Sequence, residues 1–111
     1  MIEKTILSYL SQKLDVPVGL VNIGHIPAEC VLFEKTGGSK RNHIKSSTFA
    51  FQSYGDTLYK ACELNEKLKT AVEDMAELDE IGSIRLNSDY NFTDTETKHY
   101  RYQAVFDITH Y

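Results

Sequence analysis

The sequence is poor in the residues that redox and metal chemistry most often use. Its two cysteines, Cys30 and Cys62, have neither the spacing of a CxxC redox motif nor that of a zinc site. None of its four histidines has another histidine three or four positions away, so no helical turn presents two of them together. We therefore expect both cysteines to be small core residues with free thiols, and we predict no metal site and no cofactor.

Long apolar runs are also absent. The first 18 residues contain acidic side chains and a periodic distribution of apolar ones, which is not the pattern of a secretory signal peptide. No segment approaches the roughly 20 consecutive apolar residues that a membrane-spanning helix needs. We expect a protein that is made in a reducing cytoplasm and has no membrane partner.

A surplus of positive charge is missing as well. The chain has 12 Lys and Arg residues against 16 Asp and Glu residues, a formal net charge of −4. Dedicated nucleic-acid-binding domains usually present a basic surplus on one face. The charge balance argues against that class of protein, although it leaves room for a small local basic patch.

The sequence motifs of common enzyme classes are not found. There is no Gly-x-Ser-x-Gly nucleophile elbow, no dinucleotide-binding fingerprint and no EF-hand pattern. No catalytic pair of acidic residues stands out either. We accordingly predict that the protein is not an enzyme.

What the sequence does contain is the pattern of one small domain. A chain of 111 residues with 41% hydrophobic residues has room for a single modest core. Apolar residues recur at helical spacing over residues 2–14 and 56–76. Apolar or alternating runs predict strands at residues 16–23, 28–35, 47–54, 81–92 and 99–111. The predicted fold class is α/β (α+β), a single domain over residues 1–111 with the order αβββαββ and a mainly antiparallel sheet with two helices packed on one face.

Two finer expectations concern a helix end and a strand face. Asp56 or Ser53 is the expected N-cap of the second helix, because short polar side chains satisfy its first backbone N–H groups. Strict alternation in the fourth strand would place five side chains on one face: Ile84, Leu86, Ser88, Tyr90 and Phe92.

The most distinctive stretch, residues 36–45, lies between the second and third predicted strands. It is polar, glycine-led and basic, so we predict a long loop at the tip of a hairpin. Nucleotide binding is disfavoured because a P-loop needs a Lys-Ser/Thr pair and a following helix, whereas a strand follows here. A flexible solvated tip and a contact arm that becomes ordered on assembly, against acidic surface or DNA phosphate, both remain open. The candidate interaction residues are Gly37, Gly38, Lys40, Arg41, His43 and Lys45.

A second charged group is acidic and lies at the end of the long helix and just after it. It consists of Glu73, Asp74, Glu77, Asp79 and Glu80. The simpler interpretation is a solvated helix end, and binding of a cation or a basic partner is the alternative.

Beyond these patterns, the chain resembles the small tail-completion (tail terminator) proteins of long-tailed phages and Gram-positive prophages. The resemblance covers nearly the whole chain, from the opening helix to the aromatic C-terminal strand. It rests on Asp15-Val16-Pro17-Val18 after the first helix, on Glu34-Lys35-Thr36-Gly37-Gly38, on Gln52-Ser53-Tyr54 followed by Leu58-Tyr59 and Ala61, and on Leu86-Asn87-Ser88-Asp89-Tyr90-Asn91-Phe92. None of these stretches is a catalytic signature.

The resemblance implies a structural role in virion assembly. Such proteins form a ring, commonly of six subunits, on the head-proximal end of the tail tube, where they stop tube growth and provide the surface for head-tail joining. The implied partners are further copies of the chain, the tail tube protein and head–tail connector proteins, with DNA only passing through the ring. The implied location is the tail of the virion, assembled in the host bacterial cytoplasm.

Two other functions stay open. A head–tail connector or stopper subunit is the related structural alternative. A small cytoplasmic ligand-binding or regulatory α/β domain is the alternative from a different class, and it would require a concave pocket and stabilisation by its ligand.

Overall fold

The periodic and alternating segments fold into the predicted fold class and element order. The computed structural model describes residues 1–21, 26–97 and 99–111. Over those ranges the chain forms helices α1 (Ile2–Lys13) and α2 (Leu58–Asp74), the latter continued by a 3₁₀ turn (Met75–Glu77). The strands are β1 (Val18–Leu20), β2 (Cys30–Arg41), β3 (Ile44–Gly55), β4 (Ile81–Asn91) and β5 (Tyr100–His110). Neither helix has the length and apolar character to cross a membrane.

The strands form one sheet in the order β1-β2-β3-β5-β4. Only the β1–β2 pair is parallel within the described ranges, and the other three pairs are antiparallel. β1 is shorter than the predicted strand at residues 16–23, whose last two residues lie outside the described ranges. The mainly antiparallel sheet with both helices on one face is thus confirmed.

The core lies between this face of the sheet and the two helices. Phe33, Phe49, Phe51 and Phe106 come from β2, β3 and β5 and are fully buried. Their rings form a row, with centroids 5.6 Å apart for Phe33 and Phe51 and 5.9 Å apart for Phe51 and Phe106. Burying each such side chain contributes about 1.5–3 kcal/mol. The helices cover this row with residues including Ile6, Leu10, Leu68 and Val72.

The prediction of a long loop at residues 36–45 is wrong. β2 continues to Arg41 and β3 begins at Ile44, so the turn consists of Asn42 and His43 alone. Both turn residues have positive φ, 50° and 69°, as a type I′ hairpin turn requires. The turn lacks the usual glycine, and Asn42 tolerates the left-handed region better than most residues. The two glycines that suggested a loop instead follow a bulge between Lys35 and Gly37.

Neither expected residue caps the second helix: the N-cap lies one residue after Asp56 and four residues after Ser53. Thr57 is the N-cap, and its Oγ1 accepts a hydrogen bond of 3.1 Å from the backbone N of Lys60. Ser53 is buried within β3, and Asp56 lies 4.0 Å from the Lys60 ammonium as its ion-pair partner.

The predicted single face of the fourth strand is also wrong. A register shift between Leu86 and Ser88 reverses the alternation in β4. Ile84 and Leu86 pair with Ile108 and Phe106 and share the helix-covered face. Ser88 and Tyr90 pair with Val105 and Gln103 and lie on the opposite face.

Gly55 offers a test of how closely the sheet packs on α2. A Cβ at this position would lie 2.5 Å from the Ala61 backbone N and 2.9 Å from the Lys60 carbonyl carbon, and backbone atoms cannot move aside without shifting the helix. We expect Gly55→Ala to lower the free energy of unfolding by about 1–3 kcal/mol in urea denaturation. Gly37→Ala is the matched control, since its Cβ meets nothing within 4 Å. Equal stabilities of the two variants would contradict this packing.

Candidate functional site

The structure brings the six candidate residues together on one two-stranded ribbon. We call residues 35–45 the basic ribbon: the end of β2, the two-residue turn and the start of β3. Gly37, Gly38, Lys40 and Arg41 lie in β2, His43 lies in the turn and Lys45 lies in β3, and all six are exposed. The candidate residues are therefore held by cross-strand hydrogen bonding and not by a loose loop. The glycines lie in a strand with no following helix, so this is not a phosphate-binding loop.

Two faces of the ribbon carry different side chains. Lys40 lies directly opposite Lys45 on one face, and Arg41 lies opposite Ile44 on the other. Directly opposed like charges destabilise an antiparallel pair. Repulsion between Lys40 and Lys45 thus destabilises the lone subunit. Binding of an acidic group to both ammonium groups offsets this repulsion.

Lys35 belongs to the same site, although the sequence placed it in the strand before the predicted loop. A Cβ on Gly38 would lie 3.0 Å from the Lys35 Cε and 3.0 Å from the Ser46 carbonyl oxygen. The missing side chain at Gly38 therefore makes room for the Lys35 side chain to lie along the ribbon. The signal that could have located it is the glycine pair itself, which in a strand often marks a bulge or a close approach.

The basic side chains of the ribbon form no ion pair among the residues that the structure describes. The ion pairs among the described residues use Lys60, Lys69 and Arg85 as their cations. None of them involves Lys35, Lys40, Arg41 or Lys45. The ribbon is therefore a local cationic surface on a chain whose formal net charge is −4.

A depression of about 320 Å³ lies where the ribbon leaves the sheet. Its lining includes Lys35, Lys45, Glu3, Glu80 and His110. His110 is 5% exposed, and one of its ring nitrogens lies 2.8 Å from the Ser47 Oγ. Burial lowers the pKa of His110 below its ordinary value of 6.5, and the nearby Lys45 and Lys35 lower it further.

Both lateral edges of the sheet are open over long stretches of the described chain. Among the described residues, β1 pairs with β2 only at residues 31–33, and no described strand pairs with the outer side of β2 from Glu34 to Arg41. At the other edge, β4 pairs with β5 alone. Open edges present unpaired backbone N–H and C=O groups that can bind another strand.

The face of the sheet away from the helices carries a polar network. Asp107 accepts hydrogen bonds from Thr48 at 2.8 Å and from Asn87 at 3.1 Å. Both bonds lower the pKa of Asp107, and the bond from Thr48 has the larger effect. Gln52 donates to Gln103 at 3.0 Å. These side chains satisfy one another, so this face is ordered without any partner.

Next to this network, Arg101 joins two aromatic side chains. It donates a hydrogen bond of 2.9 Å to the Tyr54 hydroxyl, and its guanidinium carbon lies 4.6 Å from the centre of the Phe92 ring. Phe92 and Tyr90 remain 38% and 41% exposed. The sequence had not separated these two exposed aromatic residues from the core face, because the bulge in β4 that turns Tyr90 away is not visible in the pattern.

Other side chains suit structural roles. Cys30 is fully buried, and burial raises its thiol pKa to about 11, so it is protonated at neutral pH. Across the residues that the structure describes, no three His, Cys, Asp or Glu side chains come together in a way that could hold a metal ion. The acidic group after α2 is exposed throughout, and Glu77 accepts a hydrogen bond of 3.0 Å from the Tyr9 hydroxyl.

Comparison with known proteins does not supply a family for the chain. No protein-family model matches it, and no curated protein matches it significantly. A functional proposal therefore depends on the geometry of the site and on the resemblance noted in the sequence.

The environment of His110 predicts a pH dependence of stability. Because the pKa of His110 is lower in the folded state, the folded protein binds fewer protons than the unfolded chain below about pH 6.5. The stabilisation is fully present above that pH and is lost as the pH falls toward the folded pKa. We expect wild type to lose more stability than His110→Gln between pH 7 and pH 5 in urea denaturation. Parallel pH profiles would contradict this assignment; Asp107, whose pKa lies below 3.8, titrates outside this window.

Proposed function

We propose that the protein is a phage assembly protein that forms a ring on the head-proximal end of the tail tube, stops tube growth there and offers the surface for head joining. The observation that carries this proposal is the uncompensated basic ribbon, which gives an otherwise acidic subunit a preformed arm. The arm suits binding to a second protein surface in a defined orientation.

The shape of the subunit supports a role for this arm. The principal extents of the molecule are 44, 25 and 24 Å, so it is clearly elongated. The ribbon lies at one end of the sheet: β5 still pairs with β3 at Lys45, opposite His110, so the turn extends only about 7 Å beyond that pair. The basic side chains of the ribbon are thus presented at one end of the sheet, where the tube or a neighbouring subunit can contact them.

The charge distribution supports a ring that lets DNA pass. Basic residues concentrate on the ribbon, whereas the end of α2 and the turn that follows are acidic. Acidic surfaces do not bind the phosphate backbone of DNA, since like charges repel. The resemblance to tail-completion proteins agrees with this arrangement, and the connector or stopper alternative uses the same features.

One feature favours the ligand-binding alternative. A groove of about 630 Å³ lies between the end of α1 and α2. Its lining is mostly charged, with Lys13, Asp15, Glu66, Lys67 and Asp74, whereas small-molecule sites are predominantly apolar with few polar groups. Thermal-shift screening with metabolites tests this alternative, which predicts a raised melting temperature with its ligand.

Arrest of tube growth is the direct test of the proposal. Tail tube protein of the same phage is polymerised with and without the purified chain, and tubes are examined by negative-stain electron microscopy. We expect shorter tubes that carry a ring at one end only. Tubes of unchanged length with bare ends would contradict the proposal.

A shortened ribbon tests the arm itself. Deleting Lys40, Arg41, Ile44 and Lys45 joins Ser39 and Ser46, already a cross-strand pair, directly to the Asn42-His43 turn, so the hairpin geometry is kept. We expect an unchanged circular dichroism spectrum and at least about tenfold weaker capping of tubes, because the charged contacts are lost. The control is Lys4→Glu combined with Lys13→Glu on α1. Unfolding of the shortened variant, or undiminished capping, would show that the ribbon is not a contact arm.

A further inference from the structure

We infer that neighbouring copies of the chain join edge to edge, with the outer edge of β2 in one copy pairing antiparallel with the outer edge of β4 in the next. The inference rests on the proposed ring and goes beyond it by naming the two surfaces that close it. The occupant of each open edge is a second copy of this chain.

The first support is that both open edges are long and exposed. The free stretch of β2 runs from Glu34 to Arg41, and β4 spans Ile81–Asn91. Both are exposed along almost their whole length. Each also contains a bulge, between Lys35 and Gly37 and between Leu86 and Ser88. Bulges discourage pairing with an arbitrary strand, so they act against non-specific association at these edges.

The second support is strand direction. β2 and β5 run one way, and β3 and β4 run the other, because each neighbouring pair from β2 to β4 is antiparallel. Rotation about an axis roughly along the strands keeps these directions in every copy. β4 of one copy therefore meets β2 of the next in the antiparallel sense, which is the more stable pairing. Such a heterologous contact can close into a ring in which the free stretch of β2 and the facing part of β4 are both paired.

The third support is charge complementarity at the end of the sheet where the ribbon lies. Ile81 pairs with His110, and His110 pairs with Lys45, so the start of β4 is level with the ribbon. Asp79 and Glu80 come immediately before β4 and are exposed. Antiparallel edge pairing therefore brings Lys40 and Arg41 of one copy next to Asp79 and Glu80 of its neighbour.

The symmetric alternative lacks this complementarity. If two copies paired through β2 about a two-fold axis, each strand would bring Lys35, Lys40 and Arg41 against only one acid, Glu34. Net positive charge would then face net positive charge, and like charges opposite one another disfavour the pair. That dimer would also leave both β4 edges open.

Site-directed disulfides test the pairing. Arg41→Cys and Glu80→Cys are combined in a Cys62→Ser background, where the remaining Cys30 is fully buried. Within one subunit the two positions lie across four strands, β2, β3, β5 and β4, a span of about 14 Å at the usual strand spacing. A disulfide allows a Cα separation of no more than about 7 Å, so any bridge formed is between copies.

Mild oxidation should convert the double-cysteine protein into a ladder that ends at the ring size and collapses on reduction. Each single-cysteine variant should stay at the mass of one chain on a denaturing gel. Absence of a ladder in the folded double variant would overturn the inference, as would a covalent dimer formed by Arg41→Cys or Glu80→Cys alone.

Charge reversal gives an independent readout that needs no thiol. Arg41→Glu and Glu80→Arg should each weaken self-association by about fivefold per interface, the effect of a surface ion pair, and the double reversal should restore it. Light scattering over a concentration series measures this at low and high salt, with Lys13→Glu as the control. No effect of either reversal would overturn the inference.

The outcomes separate the two proposals. Arrest of tube growth without a cross-linking ladder would leave the proposed function standing and overturn the edge pairing. A ladder without arrest of tube growth would support the edge pairing and contradict the proposed function.

Discussion

The pairing of β3 with β2 on one side and β5 on the other is the constraint on which the rest of the structure depends. Its register places Phe33 opposite Phe51 and Phe49 opposite Phe106. The four rings therefore share one face of the sheet, where α1 and α2 cover them. A shift of one residue would turn the phenylalanines of the shifted strand to the other face and expose them, so the hydrophobic row and the register stabilise each other.

The same pairing also creates the basic ribbon. β3 is bound along its length by β5, from Lys45 opposite His110 to Gly55 opposite Tyr100. β2 follows β3 beyond the short β1, so the last part of β2 is held on one side only. The site is thus rigid in direction but open along its outer edge. Such a site is suited to binding a strand or a charged surface, since little ordering entropy has to be lost on association.

The charged side chains restrict which surfaces can bind the open edge of the sheet. A sheet edge by itself accepts any strand of suitable shape, whereas the lysines and arginine of the ribbon favour an acidic surface over a basic one. The acidic group at the start of β4 lies at the same end of the sheet. A single small domain can in this way carry both halves of a head-to-tail contact.

The sequence by itself determined the element order, the fold class and the identity of the ribbon residues. Helical spacing at residues 2–14 and 56–76 and alternation in β5 report burial directly, because an amphipathic segment folds as its apolar positions dictate. Lys40, Arg41 and Lys45 stood out because basic residues gather there around two glycines.

Only the tertiary structure decided the form of the site. Pairing with β3 held Gly37 and Gly38 in a strand despite their low strand propensity, and it left a turn of two residues where composition indicated a loop. The bulge in β4 sent Tyr90 to the face opposite Leu86. Lys35 joined the site because Gly38, three residues away, leaves space for it. The strand conformation of the glycines and the reversal in β4 depend on cross-strand partners distant in sequence, and a local pattern does not show where a bulge shifts the register.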